Sequence, residues 1–292
     1  KLYVEVLKVL KANDIYKDKI ELLDRCIRIY YSGEFHLDLM PAVLYLPTEE
    51  ASTKLYIPDR QDDGTFQFEL VDPIGLMNWF EIRCNLQKKY VVKNLSERGD
   101  FEVMPVTTED ARKSSLKQAV QLIKRARDVY FDKDDDCKKI LKSVVVLTVA
   151  GQVYSGENNL YQVVKKIIYR IDELTFIPLF MSLENPVNDN ENFLESLSNN
   201  SDRYEKLREF ISDFKSAWSD LAHPKKELNT RAKLLAKLFG ETVTINVLAE
   251  YAERMDSVNR SGKMRMASSG LIGISSASHL QKVPRHQFFG DK

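Results

Sequence analysis

Cysteine is scarce: three in 292 residues, Cys26, Cys84 and Cys137, scattered, with no CxxC and no histidines at metal spacing. That excludes a disulfide framework and a zinc site, and it suits a reducing compartment, so a cytoplasmic location is expected. Net charge is lacking as well, since 43 basic side chains meet 43 acidic ones. A neutral chain has no global pull toward nucleic acid or an anionic membrane, and nucleic acid is not the expected substrate. No apolar run approaches the roughly 20 residues of a membrane span. GxSxG, HExxH, the P-loop pattern and GxGxxG are all missing, which removes support for hydrolase, zincin, Walker and Rossmann readings. There is no internal repeat. The chain opens on KLYVEVLKVLK, already in a helical rhythm and without a signal-peptide pattern. It therefore reads as beginning partway through a longer protein.

What is present describes a globular protein with a sizeable core: 43% apolar and 29% charged residues. The length allows one large domain or two ordinary ones. Residues 2–10 carry apolar side chains at helical spacing. Residues 25–31 and 35–45 are strand-like runs joined at Ser32-Gly33, a hairpin signal. Loop-rich sequence with DDGTF and DPIG turns continues to about residue 110. There TTEDARKSSLKQAVQLIKRARDVYF takes up a 3.6-residue rhythm, with Thr107 or Thr108 as the expected cap. Further helices are expected over 140–155, 159–174, 202–222 and 229–256. The fold class is thus α+β: a mixed part, 1–107, a helical part, 108–256, and a Ser/Gly-rich flexible tail, 257–292.

Most polar clusters have a plain explanation. FDKDDDCKK (131–139) reads as a solvated inter-helix loop, since three adjacent acids cannot converge on one ion and the spacing is not that of a calcium loop. Met264, Met266 and His223 read as tail and helix-end residues. Asp38, in EFHLDLMPA, is different. Phe35, Leu37 and Leu39 alternate with His36 and Asp38, which places the acid opposite the expected core face. Arg25 and Arg28 on the adjoining strand are expected to bind a polyanionic substrate. Lys117, Lys124, Arg125 and Arg127 cluster on the first long helix of the helical part. Acid on a sheet and base on a helix is the layout of a phosphoryl-transfer cleft, where carboxylates hold Mg²⁺ and lysines hold triphosphate.

Four ordered blocks, RCIRIYYSGEFHLDLMPA, DPIGLMNWF, SLKQAVQLIKRARDVYF and NPVNDNENF, together resemble the bacterial cGAS/DncV-like nucleotidyltransferases (CD-NTases). The HQFFG ending is similar to members of that family too. The resemblance implies a polymerase-β-like nucleotidyltransferase core joined to an OAS-like helical domain. It further implies synthesis of cyclic di- or trinucleotide signals from ATP and other NTPs, in CBASS antiphage defence. By the same resemblance Asp38 is the third metal-site aspartate, Lys124 contacts donor phosphates, and Ser143 is its partner at a helix start. DPIGLMNWF, with Pro73, Gly75, Trp79 and Phe80, and NPVNDNENF are expected to be structural. One departure stands out: no Gly-Ser loop with a DxD pair precedes residue 20, and Asp134–Asp136 lies in the wrong domain. One of three metal ligands is present, so this stretch alone is expected to be inactive. Two other readings stay open, a template-independent transferase making linear products and an inactive binding module. The tail, with Phe288-Phe289, is long enough to be captured by a ubiquitin-like conjugation protein of CBASS systems.

Overall fold

The computed structural model describes residues 2–31, 35–46, 53–61, 63–86, 113–132, 140–178, 181–198, 200–223, 227–266, 272–274 and 281–282. The hairpin turn at 32–33, the boundary at 107 and most of 131–139 lie outside the described residues; so do Thr107 and Thr108, but the helix expected to be capped there starts at Ser115, and Ser114 is its cap. The chain forms two compact units, Lys1–Trp79 with Asn185–Glu191, and Phe80–Glu184 with Asn192–Lys292.

The first unit begins with helix α1 (Leu2–Lys11). Its buried Tyr3 donates a hydrogen bond to the Leu23 carbonyl at 3.1 Å and packs its ring 5.2 Å from Phe66. Strands β1 (Ile20–Leu22), β2 (Ile27–Tyr30) and β3 (His36–Leu39) form an antiparallel sheet in the order β1-β2-β3. In the middle strand Ile27 and Ile29 are buried, while Arg28 and Tyr30 take the other face, as a period of two requires. A second antiparallel sheet contains β4 (Val43–Leu44), β5 (Leu55–Arg60) and β6 (Phe66–Val71), with β5 central and Ile57 in its core.

The expected burial of Phe35 and Leu37 is not found: they are 65% and 42% exposed. Pairing opposite Ile29 gives Leu37 the apolar face. However, β3 is the last strand of its sheet among the described residues, and alternation assigns a face without supplying a cover.

Helix α2 (Pro73–Cys84) shows why the DPIG block is built as it is. Buried Asp72 caps it, its Oδ1 accepting from the Gly75 amide at 2.8 Å, and Pro73 fills the first helical position, where its missing donor costs nothing. A Cβ on residue 75 would lie 2.3 Å from Asp72 Oδ2, so only glycine fits under this cap. The NPVNDNENF block forms the hairpin of β7 (Glu184–Asn185) and β8 (Asn188–Asn192). Asn188 donates to the Leu70 carbonyl at 2.9 Å, and Asn185 donates to Glu191 at 2.8 Å.

The second unit is helical. Helices α3 (Ser115–Tyr130), α4 (Ser143–Val153) and α5 (Leu160–Leu174) are followed by the short α6 (Glu195–Ser198), then α7 (Ser201–Leu221), α8 (Leu228–Phe239) and α9 (Glu241–Arg260). Side chains of Ser114, Asn159 and Asn200 cap α3, α5 and α7 by accepting from amides three residues on. Leu116, Ala119, Ile123 and Ala126 form the buried stripe of α3, Val146 and Val149 are buried on α4 and Val164, Ile167 and Ile171 on α5, and α3 packs against both of these helices. Each such large side chain contributes about 1.5–3 kcal/mol when fully buried. An aromatic column runs beside them. Phe214 stacks on Trp218 with centroids 5.7 Å apart, Trp218 stacks on Tyr161 at 5.5 Å, and its indole N–H donates to the Tyr161 carbonyl.

Two expectations change here. The single helix over 229–256 is broken at Gly240, whose φ of 91° lies in the left-handed region that glycine tolerates. The segment from 257 on starts as helix to Arg260, and β9 (Met264–Met266) then pairs with β10 (Ile272–Ile274) and β11 (Gln281–Lys282). The rest of that segment, Phe288-Phe289 included, lies outside the described residues.

Asp172 on α5 ties down α7. It pairs with Arg208 at 2.8 Å and with Lys215, while Arg208 also donates to the Thr175 hydroxyl. Burial disfavours its charge, but Lys215 and Arg208 outweigh that and hold the Asp172 carboxyl below its ordinary value. A lowered carboxylate pKa stabilises the fold above the unfolded value and loses that contribution as pH falls through the folded one. Asp172→Asn should therefore be less stable than wild type near neutrality. The gap in urea midpoint should close as pH drops below about 3.9, and a gap independent of pH would contradict the assignment.

Candidate functional site

The register of the first sheet brings two of the candidate residues together. Arg28 pairs directly with Asp38, and Glu21 pairs with Arg28 from the other side. Opposed residues on antiparallel strands share a face. Arg28 Nε donates to Asp38 Oδ1 at 2.7 Å and Nη2 donates to Oδ2 at 2.8 Å, a two-pronged ion pair. The Asp38 side chain is 39% exposed and that of Arg28 26%. Hydrogen bonds from Arg28 hold the Asp38 carboxyl below the ordinary carboxylate range, against a smaller burial effect. The guanidinium in turn holds its proton more tightly than usual.

The same face carries Tyr30 and His36. Tyr30 donates its hydroxyl to Glu21 at 2.5 Å, which raises the phenol pKa, and its ring lies 6.3 Å from that of His36. Glu21 and Tyr30 were not among the sequence candidates. Their signal is the register itself, which exists only once β1 is paired.

The expected basic cleft is largely taken up by internal pairing. Arg25 pairs with Glu69 at 2.6 Å and with Asp59 at 3.5 Å. In the helical unit Lys117 pairs with Glu81 at 2.5 Å, and Arg125 donates to the Phe239 carbonyl at 3.1 Å. Arg127 is buried and donates to the Leu141 carbonyl at 2.7 Å and to Asp128. Its remaining contact reaches Ser143 Oγ at 3.5 Å. Ser143 is the first residue of α4, whose N-cap, Lys142, makes no side-chain cap. Lys124 is half-buried and has no hydrogen bond or ion pair among the described residues. Of the four cations on α3, three are committed to holding the unit together, and Lys124 remains. The structure joins Arg28 to Asp38 in the first unit. Among the described residues no hydrogen bond joins Lys124 to Ser143 in the second.

No group of three or more His, Cys, Asp or Glu able to hold a metal ion occurs among the described residues. Asp38 is one carboxylate with both oxygens on Arg28, so these residues do not by themselves make a magnesium site.

A c-di-GMP synthase of Roseivirga ehrenbergii is 26% identical over 295 residues, covering 99% of this chain and 74% of the synthase. The Bradyrhizobium diazoefficiens CD-NTase CdnG, solved with GTP, superposes with a TM-score of 0.62 at 16% identity, over 86% of this chain and 74% of that one. Escherichia coli DncV in its 3′-deoxy GTP bound form gives a TM-score of 0.58 at 18% identity, over 83% of this chain and 57% of DncV. In fold the chain is like the CD-NTases CdnG and DncV, and in sequence it is similar to a c-di-GMP synthase. Vibrio cholerae DncV cyclic AMP-GMP synthase, solved with a linear intermediate, is a further CD-NTase neighbour at a TM-score of 0.55 and 14% identity, over 80% of this chain and 55% of that one. No family profile matches the chain. Among the described residues no helix is long and apolar enough to cross a membrane.

The two kinds of cation on α3 should separate in a stability measurement. Lys124→Gln should shift the unfolding free energy by less than about 0.5 kcal/mol. Arg127→Gln, which strands the Leu141 carbonyl and Asp128, should cost about 1–3 kcal/mol. Equal losses in urea denaturation would show that Lys124 is structural as well.

Proposed function

We propose that this chain is a nucleotidyltransferase that joins ATP and other NTPs into a cyclic di- or trinucleotide second messenger in CBASS antiphage signalling. The observation that carries this reading is the match to a c-di-GMP synthase across 99% of the chain. In it Asp38, ionised and on an exposed sheet face, is the catalytic carboxylate near the attacking hydroxyl. Lys124 offers an uncommitted point charge to the donor phosphates. Ser143 and the first amides of α4 offer hydrogen-bond donors where the helix dipole favours anions. Arg28 acts on the nucleotide through Asp38, because its guanidinium is already engaged there. A magnesium ion belongs to the reading as the ion that neutralises triphosphate charge, with Asp38 as one ligand; the described residues supply no others.

The test uses the protein over its full natural length, incubated with labelled NTPs and Mg²⁺ and then treated with phosphatase. Phosphatase-resistant cyclic products are expected, and Asp38→Asn should reduce them at least about 100-fold. A ladder of linear products would point to a different transferase, absence of product to an inactive binding module, and full activity of Asp38→Asn would remove that residue from the site.

The segment 257–292 is, in the same reading, the attachment point for a ubiquitin-like conjugation protein of CBASS. Deleting the residues after 280 should abolish conjugation while leaving NTP turnover intact, as followed by gel shift. Conjugation that survives the deletion would end that part of the proposal.

A further inference from the structure

Helix α9 carries more apolar surface than its packing uses. It has 20 residues against the 12 of α8, its main neighbour, so α8 does not run alongside its last turns. Leu248, Tyr251, Met255 and Val258 recur at three- and four-residue spacing and so share one stripe. None of the four is buried; Tyr251 is 50% exposed, and Val247 beside the stripe 55%. The strands that follow bring the chain back to this helix. β9 starts just past the end of α9, and β11 pairs with it antiparallel, Gln281 opposite Met266 and Lys282 opposite Arg265. The chain leaving Lys282 therefore heads toward the end of α9. Lys282 Nζ lies 3.5 Å from where a Cβ on Gly262 would stand, which puts residue 282 at the foot of the helix. Residues 283–292, VPRHQFFGDK, lie outside the described residues.

We propose that α9 is an internal docking face for the segment after β11, with Phe288-Phe289 lying on the stripe at Tyr251 and Met255. The reach fits. Extended chain carries Phe288 about 20 Å beyond Lys282, and Tyr251 lies about 16 Å back from Gly262 along the helix axis. Successive side chains of an extended segment point to opposite sides, so one ring of the pair faces the helix in either register. Burying a phenylalanine against an uncovered apolar stripe removes both from water, which is the favourable term. Tethering decides the occupant: a segment held by a short linker stands at millimolar effective concentration, well above that of a second copy in dilute solution. A partner that captures the residues after 280, as in the conjugation reading above, has to lift them from α9 first. The docking itself does not depend on that reading.

Hydrogen exchange of the α9 amides, read by mass spectrometry on the protein over its full natural length, tests this without reference to turnover. The proteins are wild type, Phe288→Ser/Phe289→Ser, Tyr251→Ser/Met255→Ser and the variant with all four changes, each at low and high protein concentration. Phe288→Ser/Phe289→Ser should exchange about tenfold faster over 247–258, the factor that partial burial of one aromatic side chain supports. In the Tyr251→Ser/Met255→Ser background the same tail changes should add nothing. Exchange in α3 should stay at the wild-type rate throughout; faster exchange there would mean a global loss of stability and count against docking. Unchanged exchange in Phe288→Ser/Phe289→Ser overturns the proposal. Equal acceleration in both backgrounds puts the tail somewhere other than the stripe and overturns it too. Protection that rises with protein concentration gives the face to a second copy instead.

Discussion

A side chain on a paired antiparallel strand does not choose its neighbours; the register chooses them. In this chain the pairing of Ile27 with Leu39 sets every other pair along β2 and β3, and with it the meeting of Arg28 and Asp38. The same ladder continued to β1 places Glu21 on the far side of Arg28. A shift of one residue would turn Ile27 and Ile29 out of the core and break the charged row at once. Burial of two isoleucines therefore fixes the electrostatics of a polar face that they never touch.

The helical unit applies a comparable constraint to its cations. An arginine that points inward must find acceptors for its guanidinium or bear a desolvation cost. Arg127 meets that demand with the Leu141 carbonyl and Asp128, and in doing so fastens α3 to the start of α4. Lys117 and Arg125 do similar work at other points of α3. Lys124 lies beside them in sequence with no such tie among the described residues. A run of basic residues on one helix thus separates into anchors and one uncommitted charge, and helical spacing alone does not distinguish them.

Short-range signals were the readable ones. The rhythm of Leu116, Val120 and Ile123 marks the buried face of α3, because it is decided within one or two helical turns; the Asp-Pro-x-Gly spacing reads only as a turn, and the helix it caps, α2, is found in the structure. The break at Gly240 escaped because one glycine inside a sustained apolar rhythm is compatible with an unbroken helix. Phe35 and Leu37 were placed on the correct face but credited with burial that an edge strand does not provide. Asp38 stood out by its setting, whereas Glu21 carried no local signal, since its relation to Arg28 is a pairing between separate strands.

Sequence by itself determined the alternation of faces, the α+β composition and the blocks that resemble the cGAS/DncV-like enzymes, because these depend on residues near one another along the chain. Tertiary structure alone decided which charges are spent. Asp38 is covered by Arg28, Arg25 is held by Glu69 and Asp59, and Lys117 is held by Glu81. Whether a charge is free depends on what lies within about 4 Å of it, and between strands and helices that distance is set by register and packing, not by position in the chain.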